Sequence, residues 1–228
     1  MLSNDVSGKT CEALLLTPKA RVIAPLRVWR RGEDEFLLLT EPELGDVVRA
    51  HLTRMRFASR CEIELEEHTS TLIFGEAEGI PNEDYGEAAV EVLDAGLEPT
   101  LGAEEVELMR IRAGTPRFGR EIDDRVLPAE AGLVERAVSF VKGCYPGQEP
   151  IARLHHRGHA NRGLRVLALD CGELPGYDEE VRFEGKAVGR VTSAARAPGG
   201  RIVALAYVRV EVPDDAELEV QGVKAQQI

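Results

Sequence analysis

The chain has 228 residues, 43% hydrophobic and 30% charged, which is the balance of a globular protein with a core and room for two domains, not of a disordered tail. Its 40 acids outnumber its 28 Lys and Arg for a net charge of −12, which disfavours direct nucleic-acid binding and non-specific attraction to an anionic membrane. No apolar run reaches the roughly 20 residues of a membrane span, and Met1-Leu2-Ser3-Asn4-Asp5 lacks the basic start and apolar centre of a signal peptide, so a cytoplasmic location with no membrane partner is expected.

In chain order, Ala13-Leu14-Leu15-Leu16 and Val22 to Trp29 flank the turn-forming Thr17-Pro18-Lys19 and predict a strand pair. Phe36-Leu37-Leu38-Leu39 adds a strand. Pro42 opens a helix whose buried stripe is expected to be Leu44, Val47, Val48, His51, Leu52 and Met55. Residues 62–65 alternate like a half-exposed strand, and 71–74 like a buried one. Residues 85–93 and 104–111 read as helices, the second with Val106, Met109 and Arg110 toward the core, and Gly114-Thr115-Pro116 ends it.

From Arg162 the texture changes to short strands (164–169, 180–183, 188–192, 202–208) divided by Gly and Pro turns. That spacing predicts a small β-barrel or sandwich. The expected class is therefore α+β: an antiparallel-sheet region at 1–160, with a further split near residue 80 left open, and a C-terminal barrel at 161–228.

The chemistry concentrates in 142–165, where five basic residues (Lys142, Arg153, Arg157, Arg162, Arg165) face one acid, Glu149. In an acidic chain this reversal of sign suits an anion site, for which the guanidinium fork gives bidentate contacts. A solvated basic face paired with acidic helices is the alternative. Cys144 sits in a glycine-rich turn between Gly143 and Gly147, where a nearby Lys142 ammonium would favour the reactive thiolate. An inert, buried thiol is its alternative. His155 and His159 would share a face on a helix, but Gly158 and Asn161-Arg162-Gly163 argue against a helix there. Cys11, Cys61, Cys144 and Cys171 are scattered, with no Cys-x-x-Cys pair, so neither a disulfide framework, a metal site nor a bound cluster is expected.

Lys142-Gly143-Cys144-Tyr145-Pro146-Gly147-Gln148-Glu149 resembles the K-G-C-Y-x-G-Q-E signature of the YgfZ-type folate-binding proteins, relatives of the glycine-cleavage T-protein (GcvT), an aminomethyltransferase. Weaker similarities fall in the same order along the chain. Ser3-Asn4-Asp5-Val6 resembles the family's T-N-D-V; Leu15 to Val22, Arg112 to Pro116, Pro128 to Leu133, Gly185 to Ser193 and Ala204 to Val208 are similar to later family segments. The resemblance implies a tetrahydrofolate cofactor and a role supporting iron–sulfur enzymes or their assembly factors, tRNA-modifying enzymes among the clients. By it, Cys144 and Lys142 would be the reacting pair. Asn4, Glu130, Tyr145, Gly147, Gln148, Glu149, Arg153 and Arg162 would contact the folate, with Arg162 at its glutamate tail and Glu130 at the pterin ring.

Two departures accompany the resemblance. The T-protein carries paired acids in its second strand, where this chain has Ala24 and Pro25, so aminomethyl transfer by that route, which needs a carboxylate base, is disfavoured. Relatives carry several dozen residues ahead of the T-N-D-V motif, which here opens the sequence, and an uncovered sheet edge or an open cleft is the expected consequence. Arg112, where relatives often carry Glu, is expected to alter the pterin contacts. A related one-carbon transferase and a non-catalytic binding module remain the alternatives.

Overall fold

The computed structural model describes residues 1–57, 59–170 and 172–228, so Cys171 lies outside the described residues. Its first elements are β1 (Thr10–Leu16), β2 (Val22–Arg30), β3 (Phe36–Leu39) and α1 (Gly45–Met55). Then come β4 (Ser70–Phe74), β5 (Ile80–Asn82), β6 (Ala89–Leu93), α2 (Ala103–Arg112), the single turn α3 (Val134–Ala137) and α4 (Gln148–Arg157). The chain closes with β7 (Arg162–Leu169), β8 (Glu180–Phe183), β9 (Lys186–Arg196), β10 (Ile202–Arg209), β11 (Leu218–Val220) and β12 (Val223–Gln227). These elements form two compact units, each made of two segments: Met1–Thr69 with Ile122–His159, and Ser70–Glu121 with Ala160–Ile228. The class is α+β, with antiparallel sheets and a closed barrel.

In the first unit, β1, β2 and β3 pair antiparallel in that order. Val22, Ala24, Leu26 and Val28 of β2 are buried and their neighbours half-exposed, the period of two that gives a strand one core face. Leu44, just ahead of α1, and Val48 and Leu52 within it recur every fourth residue and form the buried stripe. Val47, expected in that stripe, is 47% exposed, because it lies about 100° round the helix from Val48. Residues 62–65 pair with no strand. Two apolar residues between glutamates give too little burial to hold an extra strand on this sheet.

In the second unit, β4, β6 and β5 form a small antiparallel sheet with β6 central. The expected helix over 85–93 is instead a turn followed by β6. Gly86 takes a left-handed φ of 76°, and the β-branched Val90 and Val92 alternate, which favours a strand. The strand at 71–74 forms, but half-buried, as one layer of a three-stranded sheet.

Strands β10, β7, β12, β11, β8 and β9 close into a barrel in that order. Their alternation builds two cores from one apolar run. Ile202, Ala204, Ala206 and Val208 join one cluster with Leu167, Leu169, Val181 and Leu218, while Val203 and Leu205 pack with Leu108 and Ile111 of α2. That is why β10 reads as continuously hydrophobic: both its faces are covered. Helix α2 forms where 104–111 was expected to, with Arg110 buried, but Val106 and Met109 are half-buried and its buried apolar residues are Leu108 and Ile111.

The Arg110 guanidinium donates to Glu107, to the Thr115 carbonyl, to Glu121 Oε2 at 3.1 Å and to Ser193 Oγ at 2.9 Å. Ser193 in turn donates to Glu121 Oε1 at 2.7 Å. The buried charges are thus paired and hydrogen-bonded, the condition under which such groups are tolerated.

Candidate functional site: the Cys144 loop and helix α4

The site begins at the β1–β2 turn. Thr17 N donates to Arg21 O, and Ala20 N to Thr17 O, both at 2.9 Å, which brings Ala20 into a left-handed φ of 58°. Gly147 sits directly against this turn. A Cβ there would lie 2.8 Å from Thr17 O and 3.0 Å from Ala20 Cα, and its φ of 85° is also left-handed. Glycine is required twice over at this position, by conformation and by contact. Gly147 is also the N-cap of α4, so the turn fixes where the helix starts.

Helix α4 departs from the expectation of a turn region. It runs through His155, His156 and Arg157 and stops at Gly158, whose backbone is extended. His159 therefore lies beyond the helix and not one turn along it from His155. Glu149 in the first turn and the three basic residues in the last complement the helix dipole. The His155 ring stacks on Phe140 at 4.3 Å. Among the described residues, no group of three or more His, Cys, Asp or Glu is placed to hold a metal.

Cys144 is exposed, a free thiol ahead of α4. Lys142 is committed to the N-terminal segment: its Nζ donates to Leu2 O at 2.7 Å and Asn4 O at 3.1 Å, and stands 5.7 Å from the Tyr145 ring centre. The same segment is held by Ser3, fully buried, whose Oγ accepts from Leu14 N at 2.7 Å and donates to Ala137 O. Asn4 donates its side-chain amide to Glu12 O and Arg136 O, so that amide serves the fold. Tyr145 is 6% exposed, and its hydroxyl has no hydrogen-bond partner among the described residues. Burial pushes its pKa up. Gln148 is half-buried and Glu149 exposed.

Glu130, also buried, accepts from Leu127 N at 2.9 Å and so shapes the 127–130 turn. That turn and α4 wall a cavity of about 380 Å³, lined by Ala20, Leu127, Pro128, Ala129, Pro150, Ile151, Leu154 and Gly158 with Arg153 and Arg157. Of the basic cluster singled out in the sequence, Arg153 and Arg157 line it; of the residues the resemblance assigns to the site, Arg153 alone does, and Cys144 and Lys142 do not. Arg162 opens β7 in the other unit, its guanidinium 5.0 Å above the Tyr207 ring. The cavity walls Ala20, Leu127, Ile151 and Leu154 were missed in the sequence. For Ile151 and Leu154 the signal was their helical spacing beside Arg153 and Arg157, which puts the four on adjoining faces of one helix; Ala20 and Leu127 come from distant turns and leave no local signal.

No protein-family model matches the chain. An uncharacterized protein of Haemophilus influenzae is 24% identical over 96% of this chain and 83% of its own length. An aminomethyltransferase of Moorella thermoacetica is 34% identical over 57% of this chain and 36% of its own. The tRNA-modifying protein YgfZ of Shigella dysenteriae is 30% identical over 49% of this chain and 35% of its own. The alignments with these last two thus span about a third of each relative's length. Among solved structures, the glycine cleavage system aminomethyltransferase T of Bartonella henselae superposes with a TM-score of 0.82 at 19% identity, over all of this chain and 77% of that one.

The fold is that of the aminomethyltransferase T structure, and part of the chain is similar to aminomethyltransferases. About half of the chain is likewise similar to the tRNA-modifying protein YgfZ.

Proposed function

We propose that this protein binds a tetrahydrofolate and serves as an accessory factor for iron–sulfur-dependent enzymes, tRNA-modifying ones among them, with Cys144 as its reactive group. The observation that carries the reading is the exposed Cys144 thiol on a loop locked at Gly147 against the β1–β2 turn, at the head of a helix rich in unpaired cations. Residues of the first unit suit a folate. Tyr145 offers a buried hydroxyl that the fold leaves without a partner, and Arg153 an unneutralised guanidinium for a carboxylate. A bound tetrahydrofolate would supply a one-carbon carrier. The chain's own part is to hold that carrier and to present a thiol.

Aminomethyl transfer fits less well. Ala24 and Pro25 stand in β2 opposite Leu15 and Leu14, and neither has a carboxylate to take a proton from a folate nitrogen. The test is a pair of measurements. Alkylation of Cys144 should slow when tetrahydrofolate is added, and Cys144→Ala should fail to restore cluster-dependent enzyme activity in cells lacking the protein. Full restoration by Cys144→Ala would sink the thiol role.

A further inference from the structure

Helix α1 turns Val48 and Leu52 into the first unit and another side to solvent. On that side Glu43, Val47, Ala50 and Arg54 recur at three- and four-residue intervals, which sets them in one stripe, and all four are exposed. Glu43 belongs to the Pro42–Leu44 turn that leads into the helix; Arg54 lies in its last turn. Asp46 is paired with Arg49 at 3.1 Å, but among the described residues neither Glu43 nor Arg54 makes a hydrogen bond or an ion pair. An acid at the start and a base at the end of a helix complement its dipole, which accounts for their signs. It does not account for Val47, 47% exposed, and Ala50 lying bare between them on the same stripe. Phe57, just past the helix and 82% exposed, extends the uncovered apolar surface at the basic end.

The stripe runs acid, apolar, apolar, base, so reversing its direction exchanges the charges and leaves the apolar middle in place. A second α1 laid antiparallel on it, about a two-fold axis between Val47 and Ala50, brings Glu43 opposite Arg54 of the second copy and Arg54 opposite its Glu43. Val47 and Ala50 then cover each other, and the two helix dipoles oppose, which is the favourable sense. A two-fold interface has to be self-complementary in this way. We infer that this face of α1 is a self-association surface whose partner is a second copy of this chain, with the two helices packed antiparallel. One face of an 11-residue helix, about 16 Å long, is small beside the interfaces of permanent dimers, so the pairing is weak, with a Kd of about 100 μM.

The test is sedimentation velocity of the full chain from about 10 to 500 μM in about 0.1 M salt, which screens the repulsion between two chains of net charge −12 but spares charges in contact. The sedimentation coefficient should rise with concentration toward that of a dimer. Glu43→Arg and Arg54→Glu each set like charges opposite one another twice, and each should weaken association by about tenfold or more. Ala50→Glu, which keeps a good helix former at an exposed position, puts a charge against Val47 of the second copy and should weaken it likewise. The exchange Glu43→Arg/Arg54→Glu restores both pairs and should bring the Kd back to within about threefold of wild type, as should an equimolar mixture of the two single variants. The exchange sets both charges against the helix dipole, so its recovery cannot come from a more stable helix. Thermal melting followed by circular dichroism confirms that each variant is folded. A chain that stays monomeric at 500 μM, association unchanged by both single reversals, or an exchange variant no better than the singles would each overturn the proposal. No sample contains folate, so these outcomes are independent of the proposed function.

Discussion

Burying a phenol without a hydrogen-bond partner costs roughly 1–3 kcal/mol, and Tyr145, between Cys144 and Pro146, does so. If the fold alone governed this position, phenylalanine would serve it better. Tyr145→Phe should therefore leave unfolding stability unchanged or raise it by about 1 kcal/mol in urea titration. A loss of about that size would show that the hydroxyl is bonded within the protein after all. Gly147 is the opposite case, fixed by the fold. Gly147→Ala forces an L-residue into the left-handed region and a methyl against Thr17 O, so it should cost about 2 kcal/mol or more, and a variant as stable as wild type would refute the locked turn. At this scale the sequence announced the loop through its residue types. It could not announce that Lys142 holds Leu2 and Asn4, because that bond spans some 140 positions of chain and leaves no local pattern.

Helix α4 shows which elements were legible and which were not. It was not legible: Gly158 and Asn161-Arg162-Gly163 argued against a helix where they only follow its end, and a left-handed glycine at its start looks like any glycine turn. The strands β1, β2, β3, β7, β8, β9 and β10 were visible because their period or continuous apolar run matches the faces they bury. The strands β11 and β12 are short, with mixed polar content, and carry too few apolar residues to stand out.

Between α2 and β9, the buried Arg110–Glu121 pair makes a sharper prediction. Glu121 is wholly buried, so Glu121→Ala would strand Arg110 and should lower stability by about 3–5 kcal/mol; a change under about 1 kcal/mol would contradict the pairing. Glu107 adds a pH dependence. The hydrogen bond from Arg110 holds its carboxyl below the ordinary carboxylate range, against the opposing effect of burial. A depressed folded pKa means that its stabilisation is present above the unfolded value, roughly 4.3, and lost as pH falls through the folded one. Glu107→Gln should thus narrow the gap in unfolding temperature between pH 7 and pH 3; an unchanged gap would place the acid sensitivity elsewhere.

Across the whole molecule, neither compact unit is a continuous stretch of sequence. The segment Ser70–Glu121 joins the barrel strands through Leu108 and Ile111 packing with Val203 and Leu205, contacts nearly a hundred positions apart in the chain. No local periodicity encodes such pairing, which is why chain order alone suggests contiguous domains. The resemblance, by contrast, was carried by one eight-residue segment, in which the close approach of Gly147 to the β1–β2 turn requires a glycine. No helix among the described residues is long and apolar enough to cross a membrane.

The proposed function rests on the binding of a reduced folate. Titration calorimetry of the full chain with tetrahydrofolate tests it directly, with Arg153→Ala and Arg162→Ala run alongside. The account predicts saturable micromolar binding that weakens in at least one of the two variants. No heat of binding at millimolar tetrahydrofolate, from protein that unfolds cooperatively, would contradict it.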